Sequence, residues 1–195
     1  MTFPGRNIAL IARRDAGGTT FAFTGALAAM DPDWEATGPG VSTRPAWPPY
    51  TMTANGNEGV SSRLAITNYA IGYIEFGFAR RLNLPMALIE NRTGAFVAPR
   101  AGTGSVALAA TAAAMPVDGR QVNFDPESPD AYPIVTYSFV LLPRNRAEPA
   151  VTEAMVGFFD FALSAEGQGV AEQIGYVPLP VPVAERARAL LATVR

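Results

Sequence analysis

The sequence predicts an α/β fold with a mainly parallel sheet, and three observations carry this prediction. Strand-like apolar runs alternate along the chain with segments of helical periodicity. The first run, Asn7–Ala12, is followed at once by a glycine turn and a helical pattern from Thr19 to about Met30. With 195 residues, 49% hydrophobic and 16% charged, the chain can bury a core as one domain or as two small lobes.

The elements after the first helix are short and separated by breakers. Asp31-Pro32-Asp33 ends the helix, and the Gly/Pro-rich connection from Trp34 to Pro49 predicts no regular element. We expect the aromatic residues of this connection to cover the edge of the core; stacking of Trp47 on a ligand is the alternative. The next predicted elements are a glycine turn at Asn55–Val60, a helix to Ile66 with Asn57 as its N-cap, a strand at Tyr69–Ile74, a helix at Glu75–Arg81 and a strand at Met86–Ile89.

The second half contains the strongest strand pattern of the chain. Ile134–Leu142 is long, β-branched and aromatic, and it follows a polar stretch between Pro116 and Pro133. Upstream, Gly102–Ser105 forms a third Gly/Thr turn, interpreted as capping, before an Ala-rich helix to about Ala114. Three further helices are predicted, at Val151–Leu163, from Ser164 to about Ile174 and at Val183–Val194.

The composition excludes several classes of chemistry. The sequence has no Cys, His or Lys, so all fifteen cations are Arg. Disulfides, thiolate or imidazole metal ligands, His-assisted nucleophiles and Schiff-base lysines are therefore excluded. A net charge of −2 without a basic run argues against nucleic acid. We accordingly predict no cofactor, no metal and no catalytic residue, and the start Met1–Gly5 has no apolar core of a signal peptide.

The segment Arg13–Phe21 carries the functional prediction. Its order of strand, Gly17-Gly18 turn and helix start presents unpaired backbone N–H groups to a small anion, with the helix dipole behind them. Arg13 and Thr19 would add side-chain donors, and Asp15 would orient the guanidinium. The spacing matches neither a P-loop nor a dinucleotide turn, which favours a tetrahedral oxyanion. A plain turn with an N-cap is the alternative, and the Asn55–Val60 turn is similarly either a cap or a second set of donors facing the same crevice.

Six motifs, in the same order, resemble the C-terminal part of the periplasmic phosphate-binding protein of the phosphate ABC transporter, a solute-binding protein family. They are NIALIARRDAGGTTFAFT from Asn7, GNEGV from Gly56, AIGYIEFGFARRLNL from Ala70, DAYPIVTYSFVLL from Asp130, FFDFALSAEGQ from Phe158 and GYVPLP from Gly175. The resemblance covers nearly the whole chain. It implies a type II periplasmic-binding-protein-like α/β fold, truncated at its N-terminus.

The resemblance also implies roles for individual residues. In the family, an Arg-x-Asp-x-Ser-Gly-Thr segment wraps part of a dehydrated phosphate. Arg13 would be the anion-binding arginine, Asp15 its orienting carboxylate, and Gly18 and Thr19 donors to phosphate. Gly17 replaces the usual Ser and keeps only the backbone N–H, which would weaken affinity by one to two decades at about 1.5–3 kcal/mol per charged hydrogen bond, unless water substitutes.

The same resemblance implies an organisation in two lobes. Residues 1–132 would form most of the second lobe, with the Arg/Gly-Gly-Thr site, and residues 133–195 the returning part of the first. The N-terminal half of the family's site, including the carboxylate that accepts a hydrogen bond from protonated phosphate and so selects it over sulfate, would lie outside this chain. We then expect an exposed sheet edge, which would pair with a homodimer partner or with a separate N-terminal half. We also expect phosphate to bind in the millimolar range.

Three functional hypotheses follow. The first is a phosphate-binding component of a phosphate ABC transporter, periplasmic or at the cell surface by resemblance, with the membrane permease as its partner. The second is a non-transporting interaction or assembly protein that keeps the fold and oligomerises through an exposed N-terminal strand edge. The third is an enzyme that uses Glu58 or Glu75 beside a bound phosphoryl group, for which no paired-carboxylate motif is present.

Overall fold

The computed structural model describes residues 5–122, 124–143 and 148–194. The chain divides into two compact units with the boundary between Ala87 and Leu88. The first unit contains β1 (Ala9–Arg13), α1 (Gly18–Met30), α2 (Pro32–Thr37), β2 (Met52–Ala54), α3 (Gly56–Ile66), β3 (Ala70–Gly72) and α4 (Phe76–Arg81). The second contains β4 (Ile89–Glu90), β5 (Phe96–Val97), α5 (Ala101–Ala110), a 3-10 helix (Ala112–Ala114), α6 (Pro149–Ala162), α7 (Ala165–Gln173) and α8 (Val181–Leu191).

The first unit is built on a three-stranded parallel sheet with β1 in the centre. The strand order is β2-β1-β3, with Ile11 opposite Met52 on one side and Ala9 opposite Ala70 on the other. Ile11, together with Ala54 and Val60, forms the buried core beneath α3. Because β1 is paired on both sides, the predicted exposed edge at the N-terminal strand is wrong. The three carboxyl ends of the strands meet at one edge of the sheet.

Most predicted elements of the first unit are confirmed, with three corrections. The short helix α2 occupies the start of the connection predicted to be irregular, because the Asp31 side chain caps it by accepting from the Asp33 N–H at 3.0 Å. Helix α3 begins two residues earlier than predicted, with Asn55 rather than Asn57 as N-cap. Gly56 makes this possible because it adopts a φ of +62°, which favours glycine. The predicted strand at Tyr69–Ile74 is reduced to β3.

The second unit packs around Leu108, Ala131, Tyr137 and Val183. Its two strands, β4 and β5, pair antiparallel, and only Ile89 of the predicted strand Met86–Ile89 belongs to β4. The interpretation of Gly102–Ser105 as capping is confirmed, because the Thr103 hydroxyl accepts the Arg100 N–H, but these residues lie in the first turn of α5 rather than in a turn before it. The helical predictions for the C-terminal third are confirmed by α6, α7 and α8.

The strong strand pattern at Ile134–Leu142 does not form a strand. It makes one isolated antiparallel bridge, between Phe124 and Ile134, and has no further strand pairing among the described residues. Val135 and Tyr137 face the core, whereas Leu141 is 89% exposed. β-Propensity describes a side chain's fit to a pleated surface, and a strand also needs a neighbour for its N–H and C=O groups. The strand prediction is therefore wrong for this chain, although more and less buried side chains alternate at the start of the segment, as they would in a strand.

The α/β prediction with a mainly parallel sheet is confirmed by the β2-β1-β3 sheet and its helices. The boundary between Ala87 and Leu88 separates the two compact units of this chain. The predicted division into two lobes, at residues 132 and 133, is a different one and stays a prediction. Among the helices of the described ranges, none combines the length and apolar character that crossing a membrane requires.

Candidate anion-binding site

The candidate site lies at the carboxyl edge of the parallel sheet of the first unit. Arg13 is the last residue of β1, and the loop after it leads into α1. The segments that follow β2 and β3 reach the same edge and supply Asn55–Asn57, at the start of α3, and Tyr73–Glu75, before α4. Open parallel sheets characteristically bind ligands outside the carboxyl ends of their strands.

The side chain of Arg13 is 11% exposed and is paired with Asp15. The guanidinium donates to both carboxylate oxygens, through Nε at 3.3 Å and through Nη2. Asp15 also accepts from the backbone N–H of Gly56 at 2.8 Å, which joins the β1–α1 loop to the start of α3. The bonds from Arg13 and then from Gly56 hold the pKa of Asp15 well below its usual range. Asp15 therefore fixes the pose of the guanidinium, as predicted from its spacing.

The backbone of Arg13 is held on both sides by aromatic side chains. Its N–H donates to the Tyr73 hydroxyl at 3.2 Å, and its carbonyl accepts from the Trp47 indole N–H at 3.2 Å. The Tyr73 hydroxyl lies 2.8 Å from the buried Thr20 hydroxyl of α1, and its ring stacks on Phe23 at 4.4 Å. Burial raises the pKa of Tyr73, so it remains a neutral phenol. Trp47 thus supports the arginine through its polar edge, in line with its expected place at the edge of the core.

The start of α1 carries no cap from a side chain. Gly17 is the N-cap residue, and its N–H donates to the Thr43 carbonyl at 3.0 Å. Among the hydrogen bonds of the described residues, none uses the backbone N–H groups of Gly18, Thr19 or Thr20, and no acidic residue occupies the first turn. This helix start therefore keeps its donors and its positive dipole end available for an anion.

Gly17 leaves room for the arginine in its observed position. A Cβ atom at Gly17 would overlap the guanidinium group of Arg13, whereas one at Gly18 would meet no atom within 4 Å. The guanidinium thus covers the face of the turn where a side chain at position 17 would stand. Gly17 lacks the hydroxyl of the serine that is usual in the resembled family. It also makes room for the Arg13 guanidinium beside the uncapped N–H groups of α1.

The Thr19 hydroxyl joins the starts of three helices. It accepts from Arg13 Nη1 at 3.5 Å and from Asn57 Nδ2 at 3.4 Å, and it donates to Glu75 Oε1 at 3.3 Å. Asn57 also accepts the backbone N–H of Glu75 through Oδ1 at 3.3 Å. The Asn55–Val60 turn therefore contacts the same helix start as Gly17-Gly18, and its role as a second set of donors stays a prediction.

A family model described as a PBP superfamily domain matches residues 2–166 of the chain. The chain belongs to the PBP superfamily. The match contains every residue of the candidate site, and the PBP superfamily assignment agrees with the α/β fold and its parallel sheet.

Two individual relatives also match most of this chain. The chain is 33% identical over 187 residues to the phosphate-binding protein PstS of Pasteurella multocida, covering 95% of this chain and 53% of that protein. It is 35% identical over 185 residues to PstS of Haemophilus influenzae, covering 94% and 54%. The chain therefore spans about half the length of these relatives.

Two solved structures show the same fold. One is a high affinity periplasmic phosphate-binding protein, PfluDING, bound with phosphate, with a TM-score of 0.65, 22% identity and coverage of 93% of this chain and 57% of that one. The other is a human phosphate binding apolipoprotein, with a TM-score of 0.66, 20% identity and coverage of 93% and 58%. At these identities the likeness concerns the fold.

The five predicted site residues, Arg13, Asp15, Gly17, Gly18 and Thr19, lie together in this loop and helix start; their role in binding stays a prediction. The sequence reasoning missed the supporting contacts of Asn57, Tyr73 and Trp47 with this loop. A signal for the first two existed. Both follow strands that pair with β1, and the carboxyl ends of parallel neighbours converge, but the sequence predicted no strand at β2 and placed Tyr73 inside the predicted strand Tyr69–Ile74. Trp47 lies in an irregular connection, where no pattern indicated its hydrogen bond to Arg13.

Proposed function

We propose that the chain binds inorganic phosphate at the start of α1, as part of the substrate-binding component of a phosphate ABC transporter, and performs no chemical reaction on it. One observation carries the proposal. A helix start without a cap, with the backbone N–H groups of Gly18, Thr19 and Thr20 available, lies beside the guanidinium of Arg13.

The chemistry of this arrangement suits a tetrahedral oxyanion. Backbone N–H groups at a helix start and a planar guanidinium each donate to phosphate oxygens, and Gly18 allows close approach because nothing stands where its side chain would be. Phosphate would bind as a third partner to a cation that Asp15 already orients. The chain has neither His nor Cys to act as a base or nucleophile, which supports binding without turnover.

The relatives support the biological part of the proposal. PstS proteins of Pasteurella multocida and Haemophilus influenzae are named phosphate-binding proteins, and PfluDING is described as periplasmic. Because this chain spans about half of the PstS relatives, the transporter role, a periplasmic or cell-surface location and contact with the membrane permease are all proposals.

The test is titration calorimetry with phosphate up to about 10 mM on protein of known oligomeric state, with sulfate as the comparison anion. Arg13→Ala should weaken phosphate binding at least tenfold, because it removes a charge-assisted donor worth about 1.5–3 kcal/mol. Arg14→Ala is the matched control, since the exposed Arg14 side chain donates to Asn55 Oδ1 instead. Equal binding by wild type and Arg13→Ala would contradict the site, and absence of binding would contradict the function.

An interaction or assembly role is the second candidate. The observation that favours it is segment 139–141, where Phe139, Val140 and Leu141 are 49%, 57% and 89% exposed without a paired strand among the described residues. Such an apolar segment with unpaired backbone groups is suited to pairing with another chain. Sedimentation with and without phosphate separates the candidates, because this role predicts an oligomer that forms regardless of phosphate.

A further inference from the structure

The Thr19 hydroxyl has its hydrogen-bonding capacity filled in this structure. A threonine hydroxyl has one hydrogen to donate and two lone pairs to accept. The lone pairs face Arg13 Nη1 and Asn57 Nδ2, and the hydrogen is donated to Glu75 Oε1 at 3.3 Å. Thr19 can donate to a bound anion only after its hydrogen leaves Glu75.

Glu75 is held in place by its backbone. It is the N-cap residue of α4, where its side chain makes no capping bond to its own helix, and its N–H donates to Asn57 Oδ1 at 3.3 Å. Its exposed carboxylate is therefore directed across to α1. The pKa of Arg13 is raised mainly by the hydrogen bond to Asp15, with a smaller contribution from the charge of Glu75. The carboxylate and the guanidinium thus act on each other at this site.

The charge balance of the site is unfavourable for an anion. The positive charge of Arg13 is already paired with Asp15. Glu75 adds a second negative charge near Thr19, on the side where the available amides of α1 begin. An arriving anion therefore meets one cation and two carboxylates.

We propose that Glu75 sets the anion affinity of this site by competing with the anion: it holds the Thr19 hydroxyl hydrogen and places a negative charge beside Arg13, so phosphate binds only by displacing it. This inference rests on the proposed phosphate-binding function. Glu75 is a positioning residue that acts through Thr19, and its removal increases affinity.

The experiment measures phosphate affinity by calorimetry for wild type, Glu75→Gln, Thr19→Ala, the double variant and Arg13→Ala. Glu58→Gln is the matched control, because it makes the same charge change at an exposed position in the first turn of α3. Glu75→Gln should bind phosphate about fivefold more tightly at low salt, the effect of removing one like charge near a dianion in water. Raising NaCl from about 0.02 to about 0.5 M should reduce this gain, because the Debye length shortens to a few ångströms.

The double variant tests the competition for the hydroxyl. In the Thr19→Ala background, Glu75→Gln should give a smaller gain, since no hydroxyl hydrogen remains to be released. An equal gain in both backgrounds would overturn this inference. So would phosphate binding by Glu75→Gln that is unchanged or weaker than wild type. Either result leaves the proposed function standing as long as Arg13→Ala still weakens phosphate binding at least tenfold. Loss of the Arg13 dependence itself would overturn the proposed function.

Discussion

The starts of α1 and α5 share a Gly-Thr pattern but differ in what the threonine does. In α5, Thr103 closes its own helix start: its hydroxyl accepts the Arg100 N–H at 3.1 Å and donates to the Ala98 carbonyl at 2.7 Å. In α1, Thr19 makes no bond to its own helix start. Its hydroxyl contacts Arg13, Asn57 and Glu75, which belong to three other elements.

The difference shows what separates a structural helix start from a candidate binding site. At α5 the polar groups near the N-terminus satisfy one another, so little remains for a ligand. At α1 the side chains converge on the helix start from the loops after β1, β2 and β3, and the amides stay available. The sheet edge, rather than the Gly-Thr pattern, supplies the converging groups.

The largest expected effect comes from adding one methyl group to the α1 turn. Gly17→Ala should weaken phosphate binding at least tenfold in calorimetry, because the new Cβ displaces the Arg13 guanidinium. Its extended φ of −162° suits any residue, so we expect little change in the free energy of unfolding. Gly102→Ala in α5 is the control, since its Cβ meets no atom within 4 Å and alanine favours a helix by about 1 kcal/mol. Wild-type affinity in Gly17→Ala would show that the guanidinium pose is unimportant.

A smaller effect is expected from removing the hydroxyl that closes α5. Thr103→Ala should lower the free energy of unfolding by about 1 kcal/mol in urea titrations, the typical net worth of such hydrogen bonds, and leave phosphate affinity unchanged. Thr103→Ser keeps the hydroxyl and should recover most of the loss. If the serine variant were as unstable as the alanine variant, the Thr103 methyl group rather than its cap would be responsible.

The smallest effect concerns the acid stability that Asp15 provides. Because its pKa is lowered on folding, its contribution is complete above the unfolded pKa of about 3.9 and is lost as the pH falls below it. Asp15→Asn should therefore flatten the decline of the unfolding free energy between about pH 5 and pH 2, measured by urea titration at each pH.

Asp118→Asn is the matched control for that measurement. Asp118 also pairs with an arginine two residues away, at 2.9 Å from Arg120 Nε, and its pKa is lowered by bonds from the Arg120 backbone and side chain. This pair is more exposed, so water screens it more strongly. A larger flattening in Asp118→Asn than in Asp15→Asn would contradict the special role of the Gly56 N–H at Asp15.

The sequence predicted the β1–turn–α1 unit because its signals are local. An apolar run, two glycines and a helical period follow one another within 24 residues, from Asn7 to Met30. The prediction of a strand at Ile134–Leu142 was wrong because β-propensity is a property of the segment alone, while a strand ladder needs a partner elsewhere in the chain. Likewise, the shift of the α3 N-cap to Asn55 depends on the positive φ of Gly56, which directs an N–H to Asp15.

The site could be predicted only where its residues are neighbours in sequence. Arg13, Asp15 and Thr19 lie within one loop and helix start, so their grouping was visible. The bond from Arg13 to Tyr73 spans 60 residues, and that from Thr19 to Glu75 spans 56. Such pairs depend on the order β2-β1-β3, which the alternation of elements implies only in outline.

The indole that holds the Arg13 carbonyl gives the site an optical property of its own. The chain has two tryptophans: Trp47, bonded to Arg13, and Trp34, whose indole donates to the Gly40 carbonyl at 3.3 Å. In a Trp34→Phe background, excitation that selects tryptophan over the six tyrosines would give emission from Trp47 alone. The environment of a single fluorophore would then follow the backbone of the arginine, without any label attached to the protein.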